Sequence, residues 1–237
     1  MWAVPEIFRQ RLGTNVGRQR LMEHDGHLLL ILHEVPEPGI PERQGIFFWR
    51  DSRGRWETNI HGQGLPELRA LVDRYAKRVD DLEAEFGAAG SAKALFPVLR
   101  AITPLVRAAK HVHQVVQATR EAVGQDREII DIRDQAGEVE RAAELLESEA
   151  RTALEFDIAE NAEAQAERSR KLAMVGQRLN LLAAMFLPLT AVASIFGMNL
   201  PSGLEQTASP LLFWVVLALG IGVGMLVRGR LDVTRDL

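Results

Sequence analysis

The spacing of apolar and polar positions changes character along this chain of 237 residues. "HLLLILHEV" (residues 27–35) is a short apolar run with the length of a buried strand. "GIFFWRDSRGRWETN" (residues 45–59) reads as two β-prone runs around Asp51, Ser52, Arg53 and Gly54, with glycine where a turn wants positive φ. Residues 1–64 are therefore expected to form a small β-containing region of three strands at most, too little for an independent domain. From Leu65 the period becomes helical. Leu68, Leu71, Val72, Tyr75, Val79 and Leu82 fall on one face, with Arg, Asp and Glu between them. "GAAGS" (residues 87–91) ends that helix, and a second pattern runs over residues 92–123 through Leu95, Val98, Leu99, Ile102, Leu105, Val106 and Val112. Pro97 falls in its first turn, where proline is tolerated, and interior Pro104 predicts a kink. Residues 65–124 thus read as a helical hairpin.

Beyond Gly124, the only proline between Asp126 and Asn199 is Pro188. Val139, Leu146, Ala150, Ala153, Ile158 and Ala162 mark one apolar side of a strongly charged helix, which if continuous would run for roughly 110 Å. Residues 125–178 form the stalk of this helix. It cannot bury its stripe alone, so it needs the preceding hairpin or copies of itself, and self-association is expected.

Residues 179–200 and 210–227 contain no Asp, Glu, Lys or Arg. Each run is long enough to cross roughly 30 Å of hydrocarbon, the second near the minimum, so both are expected to be transmembrane helices in a lipid bilayer. Residues 201–209 form the external loop between them and 228–237 a tail. Neither run resembles a signal peptide, which would be N-terminal with a short apolar centre. Arg168, Arg170, Lys171 and Arg178 precede the first span, Arg228, Arg230 and Arg235 follow the second, and the connection has no positive charge. Both termini are therefore expected in the cytoplasm, with the regions before residue 179 cytosolic.

Composition changes this picture little. An apolar share of 47% and a mean hydropathy of −0.04 look soluble only because the average hides the C-terminal runs. The chain has no cysteine, which agrees with a reducing compartment, and its net charge of −4 gives no hint of a nucleic-acid partner. His111 and His113, two apart on a helix, point in different directions and make a poor zinc pair. His24 and His27 have better helical spacing but lie near the first strand. There is no nucleophile motif, phosphate-binding glycine loop or pair of catalytic carboxylates, so neither an enzyme nor a cofactor is expected.

Within the first span, Ala183, Ala184, Ala191, Ala193, Ser194 and Gly197 permit close approach between helices, and Gly220 and Gly224 stand four apart in the second. Helical steps back from Asn199 reach Thr190, Leu187, Ala183, Asn180 and Gly176. A stripe of amide and hydroxyl groups interrupted by Leu187 fits a pore face with a hydrophobic constriction. Equally, Thr190 could bond a backbone carbonyl, one freed by Pro188 among the choices, and Asn199 could cap a helix end.

"FLPLTAVASIFGMNL" resembles the Pro-Leu-Thr then aromatic-Gly-Met-Asn signature that closes the first transmembrane helix of the CorA-type magnesium and divalent-cation transporter superfamily. The two-span C-terminus with its short connection matches as well. The resemblance implies a mainly α membrane protein: a homopentameric funnel with a small α/β N-terminal cytosolic part and a long stalk helix that continues into the first, pore-lining span. Gly197, Met198 and Asn199 would form the selectivity filter at the outer mouth, and Thr190, Leu187, Ala183, Asn180 and Gly176 would line the pore. Five Asn199 carboxamides would hold hydrated Mg²⁺ through its waters, an outer-sphere contact weak enough to allow release. The implied setting is the inner membrane, and the implied partners are further copies of the chain. A Zn²⁺ or other divalent-cation transporter of the ZntB-type branch, and a non-conducting CorA-like scaffold, are the alternatives. The family's acidic regulatory residues have no clear counterparts in the reduced N-terminal region; Glu155, Asp157, Glu160 and Glu163 on the stalk are expected to be a solvated face.

Overall fold

Residues 28–32 are apolar at every position because their strand is covered on both faces. The computed structural model describes residues 4–13, 17–39, 43–60, 63–197 and 210–233. A short helix α1 (Glu6–Arg11) precedes an antiparallel sheet of order β1-β2-β3-β4, formed by β1 (Arg20–His24), β2 (His27–His33), β3 (Gly45–Arg50) and β4 (Trp56–Thr58). Four longer helices follow: α2 (Gly64–Gly87), α3 (Ala92–Val123), α4 (Arg127–Gly197) and α5 (Pro210–Val233). The chain divides into two compact units, Met1–Glu160 and Asn161–Leu237.

In the first unit, side chains alternate across the sheet. Leu28, Leu30, Leu32, Ile46 and Phe48 enter a core shared with α2, α3 and the beginning of α4. Leu29, Ile31 and Trp49 turn the other way, onto Val4 and Phe8. The register keeps like with like, pairing Leu30 with Phe48 and Leu32 with Ile46 on one face and Leu29 with Trp49 on the other. A strand with both faces covered needs no polar alternation.

The sheet has one strand more than the sequence predicts. β1, Arg-Leu-Met-Glu-His, is an edge strand with too few apolar residues to stand out. Its signal is the dipeptide Asp25-Gly26, where φ is +47° and +75°, the two positive values a tight hairpin turn requires. His24 and His27 are consequently register partners across that turn, and His27 stacks on Trp49 with ring centroids 5.8 Å apart. The second hairpin turn closes as its residues predict. The Asp51 carboxylate accepts hydrogen bonds from the backbone N–H of Arg55 (2.8 Å) and of Arg53 (2.9 Å) and from Arg55 Nε (2.7 Å). Those donors, the Arg55 backbone N–H first, hold the carboxyl below its usual range.

The apolar stripe of α2 is buried at all six expected positions. Helices α3 and α4 run antiparallel along a ladder of polar contacts: the Thr103 hydroxyl donates to Glu147 at 2.7 Å, Lys110 pairs with Glu144 at 3.4 Å, and His113 Nδ1 meets Glu140 at 2.5 Å. Beneath this ladder α4 buries Ile129, Ile132, Ala136, Val139, Ala143, Leu146 and Ala150, in alternating steps of three and four. The stripe thus starts earlier and stops sooner than the sequence predicts, for Ile158 is 53% exposed. The reason is the length of α3. Its first N–H, that of Ala92, already meets the Asp157 carboxylate, and Ser91 supplies no side-chain cap of its own. Past that level no part of α3 remains to cover α4. Asp157 is therefore a helix cap, while Glu155, Glu160 and Glu163 are exposed.

The end of β2 is tied to three neighbours. Tyr75 on α2 donates to the carbonyl of His33 at 3.1 Å, and Gln19 accepts from the His33 N–H at 3.4 Å while donating to the Ala108 carbonyl on α3 at 3.1 Å. Arg74 forks onto both oxygens of Glu34 (2.9 and 3.0 Å) and reaches Glu67 (3.0 Å). Burial, then the positive charges of Arg43 and His111, keep the His33 pKa below its ordinary value.

Two outcomes follow from this packing. A Cβ on Gly64 would stand 2.6 Å from the Glu57 nitrogen and 2.7 Å from the Trp56 carbonyl carbon, both backbone atoms, whereas one on Gly87 meets nothing within 4 Å. Gly64→Ala is expected to destabilise the protein by about 1–3 kcal/mol in urea melts, and Gly87→Ala to leave it unchanged or slightly more stable. Because the fold disfavours His33 protonation, its contribution is neutral above the unfolded pKa of about 6.5 and stability falls as pH drops below it. Melting temperatures of wild type and His33→Gln between pH 7.5 and 5 test this, with a shallower acid decline expected in the variant; Glu34, Tyr75, Arg43 and His111 remain in both.

Candidate functional site

The second unit contains the end of α4 together with α5. Among the described residues, α4 is the helix long and apolar enough to cross a membrane. Its outer surface is apolar where water would demand the reverse: Leu172, Met174, Val175, Leu179, Leu182 and Ile195 are each more than half exposed. Arg168, Arg170 and Lys171 stand before this belt and Arg178 lies in its first part, and Lys171 is tied to Glu167 at 2.8 Å, four residues back. Cations gathered at the start of an uncharged helical segment suit an interface with lipid headgroups.

α5 covers one side of α4. A Cβ on Gly224 would lie 3.2 Å from the Met185 carbonyl oxygen and 3.4 Å from its Cα, and one on Gly220 would lie 2.9 Å from Leu189 Cδ1. The glycine pair therefore brings the two helices together through missing side chains, as its four-residue spacing predicts. Leu181, Ala184, Met185, Pro188, Leu189 and Val192 are half-buried on this side.

The candidate pore residues occupy a different stripe. Asn180, Ala183, Thr190 and Gly197 are exposed, Leu187 is 66% exposed, and Gly176 is half-buried. Met198 and Asn199 lie outside the described residues, as do the loop at 201–209 and the last four residues of the tail. The Thr190 hydroxyl donates to the Phe186 carbonyl at 2.7 Å. Proline at 188 deprives the Ala184 carbonyl of its helical donor, so Thr190 does not serve the carbonyl that Pro188 frees. Its hydroxyl oxygen retains accepting capacity on the exposed stripe.

Elsewhere His111 and His113 point in different directions, as two positions two apart on a helix should. His113 joins Glu140 in the α3–α4 ladder, whereas His111 lines a cavity beside His33. Among the described residues no group of three or more His, Asp or Glu is placed to hold a metal ion.

A helical membrane protein carrying an α/β unit is the class that this architecture defines. The chain belongs to the CorA-like Mg²⁺ transporter protein family, whose profile it matches over residues 63–228. This is a family of membrane-embedded divalent-cation transporters. No curated relative matches the sequence. Among solved structures, full-length CmaX is similar with a TM-score of 0.51 at 15% identity, covering 96% of this chain and 83% of that one. It shows a common fold across nearly the whole chain. The CorA magnesium transporter from Methanocaldococcus jannaschii aligns with a TM-score of 0.40 at 16% identity, over 94% of this chain and 81% of that one. The cytoplasmic domain of ZntB from Vibrio parahaemolyticus RIMD 2210633 aligns with a TM-score of 0.42 at 17% identity, over 68% and 80% respectively.

The two glycines of α5 face different atoms, so their substitutions should differ. Gly224→Ala presses on the backbone of Met185, which cannot step aside, whereas Gly220→Ala meets the end of a flexible leucine. Thermal unfolding of the detergent-solubilised chain is expected to show the larger loss for Gly224→Ala, on the order of 1 kcal/mol.

Proposed function

We propose that the chain is a potential-driven divalent-cation channel or transporter of the inner membrane, that its cargo is hydrated Mg²⁺, and that five copies surround a central pore. The observation that carries this reading is the division of α4 into two faces. One is covered by α5, and the other, left open, bears Asn180, Ala183, Leu187 and Thr190 in helical register. Amide and hydroxyl groups on an exposed face of a membrane helix are costly in lipid and useful around water. A ring of identical α4 helices gives that face a common aqueous axis, with Leu187 as its constriction. α5 then crosses the membrane as the second span, outside the ring.

In this arrangement Gly197, Met198 and Asn199 form the outer mouth. The C-terminal carbonyls of five α4 helices add negative partial charge there, and five neutral Asn199 carboxamides accept hydrogen bonds from the water shell of the ion. Mg²⁺ sheds its waters reluctantly, so recognition through the shell selects the ion without trapping it. With both termini in the cytoplasm, a potential of 100 mV drives a divalent cation inward by about 4.6 kcal/mol.

Ion flux into liposomes holding wild type or Asn199→Ala tests the filter. Mg²⁺ uptake that follows the imposed potential is expected in wild type, and a loss of at least about tenfold in the variant. Equal Mg²⁺ flux in both would exclude the filter, and no cation flux in either would point to the scaffold. Competition with Zn²⁺, Co²⁺ and Ni²⁺ separates a magnesium carrier from a zinc carrier.

A further inference from the structure

The first unit contains a cavity of about 840 Å³ at the junction of β2, the loop that follows it and α3. Cations converge on it. Arg100, Arg107 and His111 stand in one helical stripe of α3, at steps of seven and four, and Arg43 approaches from the loop before β3. Among the described residues none of the three arginines forms an ion pair. Of the two carboxylates among the described lining residues, Glu34 is consumed by the fork of Arg74, which leaves Glu37 against three guanidinium groups. His33 forms part of the wall, is 6% exposed, and its Nε2 has no hydrogen-bond partner among the described residues.

Such a grouping is unfavourable without a counter-ion. Like charges that share a cavity repel, and their effect is already felt by His33, whose pKa Arg43 and His111 help to depress. Arginine is the side chain whose planar fork fits phosphate oxygens in pairs. The cavity also exceeds what an inorganic anion needs and lies in the size range of small-molecule sites. Val35, Pro36 and Pro104 supply an apolar wall for the rest of such a ligand.

We propose that this cavity binds a phosphorylated organic anion of nucleotide size, its phosphates held by Arg100, Arg107 and Arg43 and its organic part laid against Val35, Pro36 and Pro104. The site lies within the first unit and is independent of the pore reading.

Isothermal titration of the full chain in detergent, with excess EDTA so that metal binding plays no part, tests the proposal with ATP, AMP, pyrophosphate and orthophosphate as probes. ATP is expected to bind with Kd below about 1 mM and more tightly than pyrophosphate. The double variant Arg100→Gln, Arg107→Gln should weaken ATP at least about tenfold, and Arg43→Gln should weaken it as well. Both α3 arginines are exposed, so the variant should melt as the wild type does without ligand. Arg69→Gln, an exposed cation of α2 outside the cavity, should change nothing. Absence of binding by any probe at millimolar concentration would overturn the site, as would an equal loss in Arg69→Gln or binding confined to anionic lipid vesicles. Pyrophosphate binding as tightly as ATP would overturn the organic half of the ligand.

Discussion

One helix, α4, must satisfy two incompatible solvents along a single backbone ladder. Its beginning is amphipathic and buries a narrow stripe from Ile129 to Ala150 beneath α2 and α3, while its end turns apolar residues outward. Charged residues cannot accompany it into lipid, and an exposed Leu-rich surface could not remain in water. The change of composition near Arg178 is the trace of that constraint. Much of the remaining architecture follows from what each part of α4 needs as cover.

In the first unit that cover is a hairpin backed by a sheet. α3 reaches back along α4 as far as Asp157, and both hairpin helices pack on the sheet, α3 against β1 and β2 and α2 against β3 and β4. Residues 28–32 of β2 are apolar at every position because Val4 and α1 close the second face. The polar ties among Tyr75, His33, Gln19 and Ala108 fasten β2 to α2 and α3 at the point where the chain leaves the sheet, and there the cavity opens.

In the second unit a single companion helix covers one side of α4. Gly220 and Gly224 let α5 approach the α4 backbone at Leu189 and Met185, which leaves the opposite stripe open. A partly polar stripe on an otherwise apolar helix has no stable place facing lipid. The proposed ring of copies around an axis would resolve that cost, which is the physical basis of the transport reading.

The long periodic elements are legible in the sequence, because helical burial repeats every three or four residues and needs no partner to be recognised. α2 and α3, the uncharged end of α4, the uncharged residues 210–227 of α5 and the Gly220–Gly224 spacing belong to this group, and so does the signature that ends at Asn199. β1 was not legible from apolar pattern, since an edge strand buries too little, although Asp25-Gly26 announced its turn. The extent of the buried α4 stripe, the role of Asp157 as a cap and the carbonyl that Thr190 takes were beyond the sequence. Each depends on where a distant segment stops or bends, and spacing along one helix carries no information about that. The same holds for the cation-lined cavity, where folding sets Arg43 and His33 beside Arg100, Arg107 and His111 of α3. The sequence by itself determined which segments are helical and where their charges stop, because composition and period act locally. Only the tertiary structure decided which charges, hydroxyls and glycines meet, because those encounters join residues far apart in the chain.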